Sequence, residues 1–406
     1  MNVDTRVPGH VPPELIRDFS LFSGPEMERT PAGNPQAALS FVHRDFPPIF
    51  YAPMNAVDGR GTWVVATAED QRAVLQNTEI FSSDRQLFEK AMGEPLPMVP
   101  LEIDPPHHTA FRALLNPLLS PRRVQDMEVG ARERAVRLIE DFKDRGYCEV
   151  MDEFAFPFAV GVFLQFLGVS DDRRDEFLGW ANDQFHGDFE ARKRAMRTVV
   201  NFVQSLIDLR RLEPKDDFVG FLLQAKVEGR SLTDREILGV AVLLFLAGLD
   251  TVAAALGFSF YHLARVPEDQ RRLREDPELI KSAVEEFFRA YPTIQPVRQV
   301  VKDHDYKGVP FRAGDLVSCP TQLSNRDPAE FADPDTVDIA RENNRHSAFA
   351  FGPHRCLGSH LARRELIIGL EEFFARIPTF RLKEGSVPVT YGGYVFGVEN
   401  LVLAWN

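Results

Sequence analysis

The sequence predicts a mainly α-helical fold with a small β-rich region, on three observations. The longest periodic element opens at Thr233-Asp-Arg-Glu236, where threonine and a glutamate three residues on can cap the first amides reciprocally. Its apolar residues continue to Ala264, and Pro267 prevents further extension. Helical spacing recurs over 121–144, 171–185, 190–211 and 217–227. Strand-like runs are short and late, at 299–302, 309–311, 316–318 and near the C-terminus.

In chain order, 61–67 reads as a strand between turn signals and 68–76 as a helix. Asp104-Pro-Pro106 ends one segment and starts a helix carrying His108 and Arg112. The central helix of about 32 residues would span roughly 48 Å at about 1.5 Å per residue, and its middle, apolar on nearly all sides, predicts burial. The chain shows no internal repeat, low-complexity tract or linker. A single domain over 1–406 is expected, with 1–40 as an irregular N-terminal segment.

Bulk composition narrows the function classes. With 44% hydrophobic residues and 33 phenylalanines the chain can bury a large core, which excludes global disorder. A net charge of −13 argues against nucleic acid as a partner. Three scattered cysteines, Cys148, Cys319 and Cys356, cannot form a disulfide framework and suit a reducing cytosol. No apolar run reaches the roughly 18 residues that span a bilayer, and residues 1–22 lack the apolar centre of a signal peptide. A cytoplasmic, membrane-free monomer is expected.

The chemistry concentrates in Phe349-Ala-Phe-Gly-Pro-His-Arg-Cys356-Leu-Gly358, just before an amphipathic helix starting near Ser359. Gly352 and Gly358 can take positive φ and let the backbone approach a flat cofactor. Amides at a helix N-terminus, with His354 and Arg355, would stabilise negative charge on sulfur. From the residues alone, Cys356 could equally be a small buried hydrophobe, or a zinc ligand with His354 or His360. A second constellation is Ala247-Gly248-Leu-Asp250-Thr251, which places a helix-weakening glycine and a carboxylate inside the apolar helix. A third is Glu286-Phe-Phe-Arg289, a pair at i,i+3 with two phenylalanines between the charges.

Phe-x-x-Gly-x-His-x-Cys-x-Gly followed by Leu361-Ala-Arg363-Arg-Glu resembles the cysteine loop of the cytochrome P450 family, and the likeness extends from about Phe41 to the C-terminus. Among its subfamilies the chain looks most similar to the soluble camphor hydroxylases. The resemblance implies the P450 fold, with the long central helix over a haem b and Cys356 as metal ligand. Phe349, Gly248 and Gly358 would lie beside the macrocycle; Arg112, Arg298, His354 and His108 would hold its propionates. Asp250 and Thr251 would be catalytic, the carboxylate relaying protons and the hydroxyl bonding the oxygen being activated. Glu286, Arg289 and Arg341 would form a structural clamp.

The implied activity is monooxygenation, with electrons from a separate ferredoxin and reductase, because the chain lacks a dinucleotide fingerprint and an iron–sulfur cysteine cluster. Arg72, Arg112 and Arg363 are the candidate docking cations, and Thr109 stands where the camphor enzyme has a further arginine. A haem-thiolate peroxygenase and a non-catalytic haem sensor are the rival readings. Leu96 stands where the camphor enzyme has a ketone-binding tyrosine, Pro296 where it has an aspartate, and Ala350 where the loop commonly has glycine. An apolar cyclic terpenoid or norisoprenoid is the expected substrate, walled by Phe88, Leu96, Leu101, Leu243, Leu246, Ile294, Tyr394 and Val395.

Overall fold

The structure, a computed structural model, describes residues 7–22, 27, 30, 31, 33–55, 61–85, 96–393 and 395–406. Its principal helices are α1 (Ala68–Gln76), α2 (His107–Leu115), α3 (Pro121–Glu140), α4 (Phe156–Leu167), α5 (Arg174–His186), α6 (Phe189–Leu212), α7 (Phe218–Gln224), α8 (Asp234–Gly248), α9 (Asp250–Arg265), α10 (Pro267–Glu275), α11 (Leu279–Ala290) and α12 (Ser359–Arg376). The chain forms two compact units, one of Met1–Arg85, Ala254–Cys356 and Thr379–Asn406, the other of Gln86–Ala253 and Leu357–Pro378.

In the first unit a five-stranded sheet organises the core. Strands β1 (Ile49–Ala52), β2 (Thr62–Val65), β3 (Phe81–Ser82), β4 (Val297–Val300) and β5 (Leu316–Ser318) lie in the order β1-β2-β5-β4-β3. Only the β2–β5 pairing is parallel; it sets Val317 beside Trp63. β1, β2 and β5 are buried at every position, so they read as continuous apolar runs. Trp63, Phe81 and Phe311 pack edge to face at centroid distances of 5.4 and 5.3 Å.

The second unit is helical. α4 is apolar almost all round and nearly every residue of it is buried. The Arg134 side chain of α3 lies against Gly161 of α4, where any Cβ would overlap it. α12 packs on α3, and charges tie the two together: Arg132 bonds Glu128, Glu371 and Glu372, and Arg364 bonds Glu128 at 2.8 Å. The helix that follows the cysteine loop is thereby fastened along its length.

The structure corrects three expectations. The central helix is not continuous: α8 starts with the full Thr233/Glu236 capping box, but Leu249, at φ −94° and ψ −65°, separates it from α9. Thr251 Oγ1 donates to the Ala247 carbonyl at 2.9 Å, so a side chain competes there with the main-chain ladder. The stretch expected as helix over 217–227 ends at Gln224. A hairpin of Lys226–Val227 with Arg230–Ser231 follows, turned by Glu228 and Gly229 at φ +51° and +80°. Finally, Asp234–Arg265 contains an 18-residue window, of mean hydropathy 2.3, long and apolar enough to span a bilayer. Two-thirds of that window is buried inside the protein, as befits a core helix.

Candidate active site

The loop from Ser347 to Cys356 is closed by its own backbone. The Ala350 amide donates to Ser347 O at 2.7 Å, Arg355 to Gly352 O at 3.0 Å and Cys356 to Phe349 O at 2.9 Å. Gly352 takes φ +72°, and a Cβ there would lie 2.4 Å from the Leu75 carbonyl oxygen, so glycine alone fits. Ala350 also takes the left-handed region, at φ +54°. Phe349 is buried with its ring 4.7 Å from that of Phe288.

This folding leaves the Cys356 thiol exposed, while Cys148 and Cys319 are buried. Burial pushes the Cys319 thiol up to about 12 and raises that of Cys148 strongly. A metal ligand must be an accessible thiolate, and of the three cysteines only Cys356 qualifies. Among the described residues no group of three or more His, Cys, Asp and Glu side chains is placed to hold a metal ion.

Other expected residues of this unit take clear positions. Arg298 is buried on β4 opposite Val317 and donates to the Val297 carbonyl at 3.1 Å. His354 is half-buried in the cysteine loop. Ile294 and Val395 meet in an isolated antiparallel bridge. Glu286 and Arg289, both fully buried on α11, join through two bonds of 2.8 Å. Arg341 Nε reaches Glu286 at 3.1 Å and Asn344 donates to it at 2.9 Å. Arg72 is held by Glu330 at 2.6 Å and stacks on the Phe351 ring, so that cation is engaged internally.

In the second unit, Asp250 is 3% exposed and its Oδ1 has no hydrogen-bond partner. Burial pushes its carboxyl up to about 7. Ala247 is exposed and Thr251 half-buried, so the interruption opens one side of an otherwise buried helix. A Cβ at Gly248 would make only an ordinary 3.6 Å contact with Phe163. His108 is buried on α2, one turn before Arg112, whose Nε donates to Asn116 at 2.8 Å. Arg363 is half-buried on α12 and donates to the Ser359 carbonyl at 3.2 Å. Leu96 and Leu243 are buried in one apolar cluster, against which Leu246 packs. Leu101 departs from the expected wall: it is 45% exposed. Phe88 and Tyr394 lie outside the described residues.

Glu365 was visible in the sequence as the last residue of the Leu-Ala-Arg-Arg-Glu motif, but no role was assigned to it. It is buried on α12 with Oε2 unpartnered, and burial raises its carboxyl well above the ordinary range. Only its place among buried helix positions could have signalled this.

The model of the family described as cytochrome P450 matches residues 172–391. The chain is 53% identical over 400 residues to "Probable cytochrome P450 127A1" of Sinorhizobium fredii, covering 98% of this chain and 97% of that one. The chain belongs to the cytochrome P450 family. Its fold is similar to the crystal structure of CYP101J2, with TM-score 0.88, 31% identity, 99% of this chain and 100% of that chain covered. For CYP101C1 the TM-score is 0.87, with 32% identity and 98% and 100% coverage. This P450 is a monooxygenase of the oxidoreductase class, and its cofactor is haem b. The donor chemistry fits that group: an accessible cysteine sulfur in a backbone-closed loop, and an open, polar break in an apolar helix.

Proposed function

We propose that this P450 hydroxylates a small apolar cyclic substrate of terpenoid or norisoprenoid type, working in the cytoplasm as a monomer with electrons from a separate ferredoxin and reductase. The observation that carries the substrate reading is Leu96. At the position where a phenol would select a ketone, this chain buries a hydrocarbon side chain in the same cluster as Leu243. A site that lacks a donor at this position, Tyr394 being the one plausible donor nearby, cannot strongly favour a ketone over a hydrocarbon. Leu246, Ile294 and Val395, with Phe88 and Tyr394, complete the proposed wall, from which Leu101, 45% exposed, is left out.

Haem b, when bound, supplies dioxygen activation, which no side chain of the protein can provide. Cys356 would ligate its iron; Arg112, Arg298, His354 and His108 would hold its propionates, and Phe349, Gly248 and Gly358 would lie along its faces. The chain itself supplies the protons. A carboxyl group near 7 is both donor and acceptor at neutral pH, so Asp250 can take a proton from solvent and release it toward Thr251. The Thr251 hydroxyl, on turning away from the Ala247 carbonyl, would donate its proton toward the reacting oxygen and take a new one relayed from Asp250. This relay favours a monooxygenase over a peroxygenase, which needs no such delivery. Arg112 and Arg363 are the proposed ferredoxin-docking cations, while Arg72 is committed to Glu330. We read the whole chain as one functional domain.

The test is a low-to-high spin absorbance titration over a panel of terpenoids and norisoprenoids, followed by product analysis with NADH, a ferredoxin and its reductase. Tightest binding by a non-polar or ionone-sized ring, with hydroxylated product, is expected. Camphor binding more tightly than every less polar ring would overturn the substrate reading.

A further inference from the structure

Gly239 stands in the middle of α8, where glycine is the costliest residue short of proline. A Cβ built there would sit 1.8 Å from the Pro97 carbonyl oxygen and 3.0 Å from the Pro97 carbonyl carbon. The obstacle is main chain, not the end of a flexible side chain. The backbone of 96–99 therefore rests directly on α8 at a mid-helix position that has no side chain. Ordinary contact begins at 3.4 Å, so any larger residue would push the carbonyl back by about 1.5 Å.

That carbonyl is fixed in other ways as well. Pro97 O accepts from the Val99 amide at 2.9 Å, and Met98 O accepts from the Glu102 amide at 2.9 Å, so the segment is a folded turn. Leu96, Met98 and Val99 are all buried in the cluster that contains Val240, Val242 and Leu243. On α8, Leu243 and Leu246 follow Gly239 at i+4 and i+7 and so share its face. The turn that begins at Leu96 is thus seated at the head of the stripe formed by Leu243 and Leu246.

We propose that Gly239 is a positioning residue for substrate size: by admitting the Pro97 carbonyl onto α8, it holds Leu96 down over the Leu243/Leu246 stripe and sets how large a ring the site accepts. This rests on the reading of Leu96, Leu243 and Leu246 as substrate wall. Gly239→Ala should lift the 96–99 turn outward, with two consequences. Hydrogen exchange at the Val99 and Glu102 amides should rise about tenfold or more, while exchange along α3 stays as it was. The preference for a monocyclic over a larger, bicyclic or tricyclic hydrocarbon, taken as the ratio of dissociation constants in spin-shift titrations, should fall about tenfold.

Leu96→Ala, measured on the same panel, separates the two readings. If Leu96→Ala shifts the size ratio and Gly239→Ala does not, Gly239 has no positioning role although the wall stands. A ratio that moves in neither variant removes the wall itself and the inference with it. Unchanged exchange at Val99 and Glu102 in folded Gly239→Ala overturns the inference by itself. Should that variant not accumulate, Pro97→Gly loosens the same turn without adding an atom to α8, and the same shifts in exchange and ratio are expected.

Discussion

Asp250 is a carboxyl group whose environment has been arranged against its charge. Desolvation with no compensating partner raises it to about 7, and a donor is useful only while protonated. The protonated fraction falls as pH rises through about 7, so kcat should decline on the alkaline side of that value. Asp250→Asn should lower kcat about a hundredfold and flatten that limb, as read from single-substrate rates between pH 6 and 9. An unchanged alkaline limb in the variant would show that another group titrates. Thr251→Ala, in contrast, should keep NADH consumption but divert it to hydrogen peroxide. Ala350 makes a second point at this scale. An L-residue in the left-handed region costs roughly 1–2 kcal/mol, partly offset because glycine loses more chain entropy on folding. Ala350→Gly should therefore stabilise the protein by up to about 1 kcal/mol, seen as a higher Tm with the thiolate-type CO spectrum intact.

Among the elements, α11 shows how a buried charge is made tolerable. Arg289 spends all its N–H donors: two on Glu286 and three on the carbonyls of Asn325, Pro334 and Thr336, at 2.7–2.9 Å. Glu286 receives in addition the Asp338 amide at 2.8 Å, Arg341 and Asn344. The pair thereby ties α11 to the turn-rich segment of 325–344. Arg289→Ala would take two donors from a fully buried carboxylate and leave three buried carbonyls unpaired, and should cost about 3–5 kcal/mol, measured by denaturant midpoint. Arg289→Lys should recover little of it, because an ammonium cannot reproduce a planar fork. A midpoint shift below about 1 kcal/mol for Arg289→Ala would mean that the segment is held by other contacts. The Glu-x-x-Arg spacing was readable in the sequence, but the carbonyls it serves come from 36–47 residues later and were not.

For the whole molecule, two buried carboxyl groups contribute a loss of stability as pH rises. Burial holds the folded-state values of Asp250 and Glu365 above the ordinary carboxyl range. Each favours the folded state fully below its unfolded value. That contribution is lost as pH rises toward the folded value, which is about 7 for Asp250. Replacing either by its amide should therefore matter little near pH 4 and stabilise at pH 8. Thermal unfolding of Glu365→Gln across that range checks it, and equal Tm differences at both ends would refute it.

The sequence by itself determined the helical class, the cap at Thr233, the strand endpoints 309–311 and 316–318, and the cysteine loop. These are local signals: periodicity, capping chemistry and glycine spacing act within a few residues. It also located Asp250 and Thr251 but not the break at Leu249 just before them, since a 3.6-residue period runs through Leu249 unaltered. Tertiary structure alone decided which cysteine is accessible, which carboxyls are left without partners and where Leu101 points. It also decided why position 239 must be glycine, because the obstructing carbonyl of Pro97 lies 142 positions away in sequence and meets α8 only after folding. Burial and desolvation are properties of what packs around a group, and no window along the chain contains them.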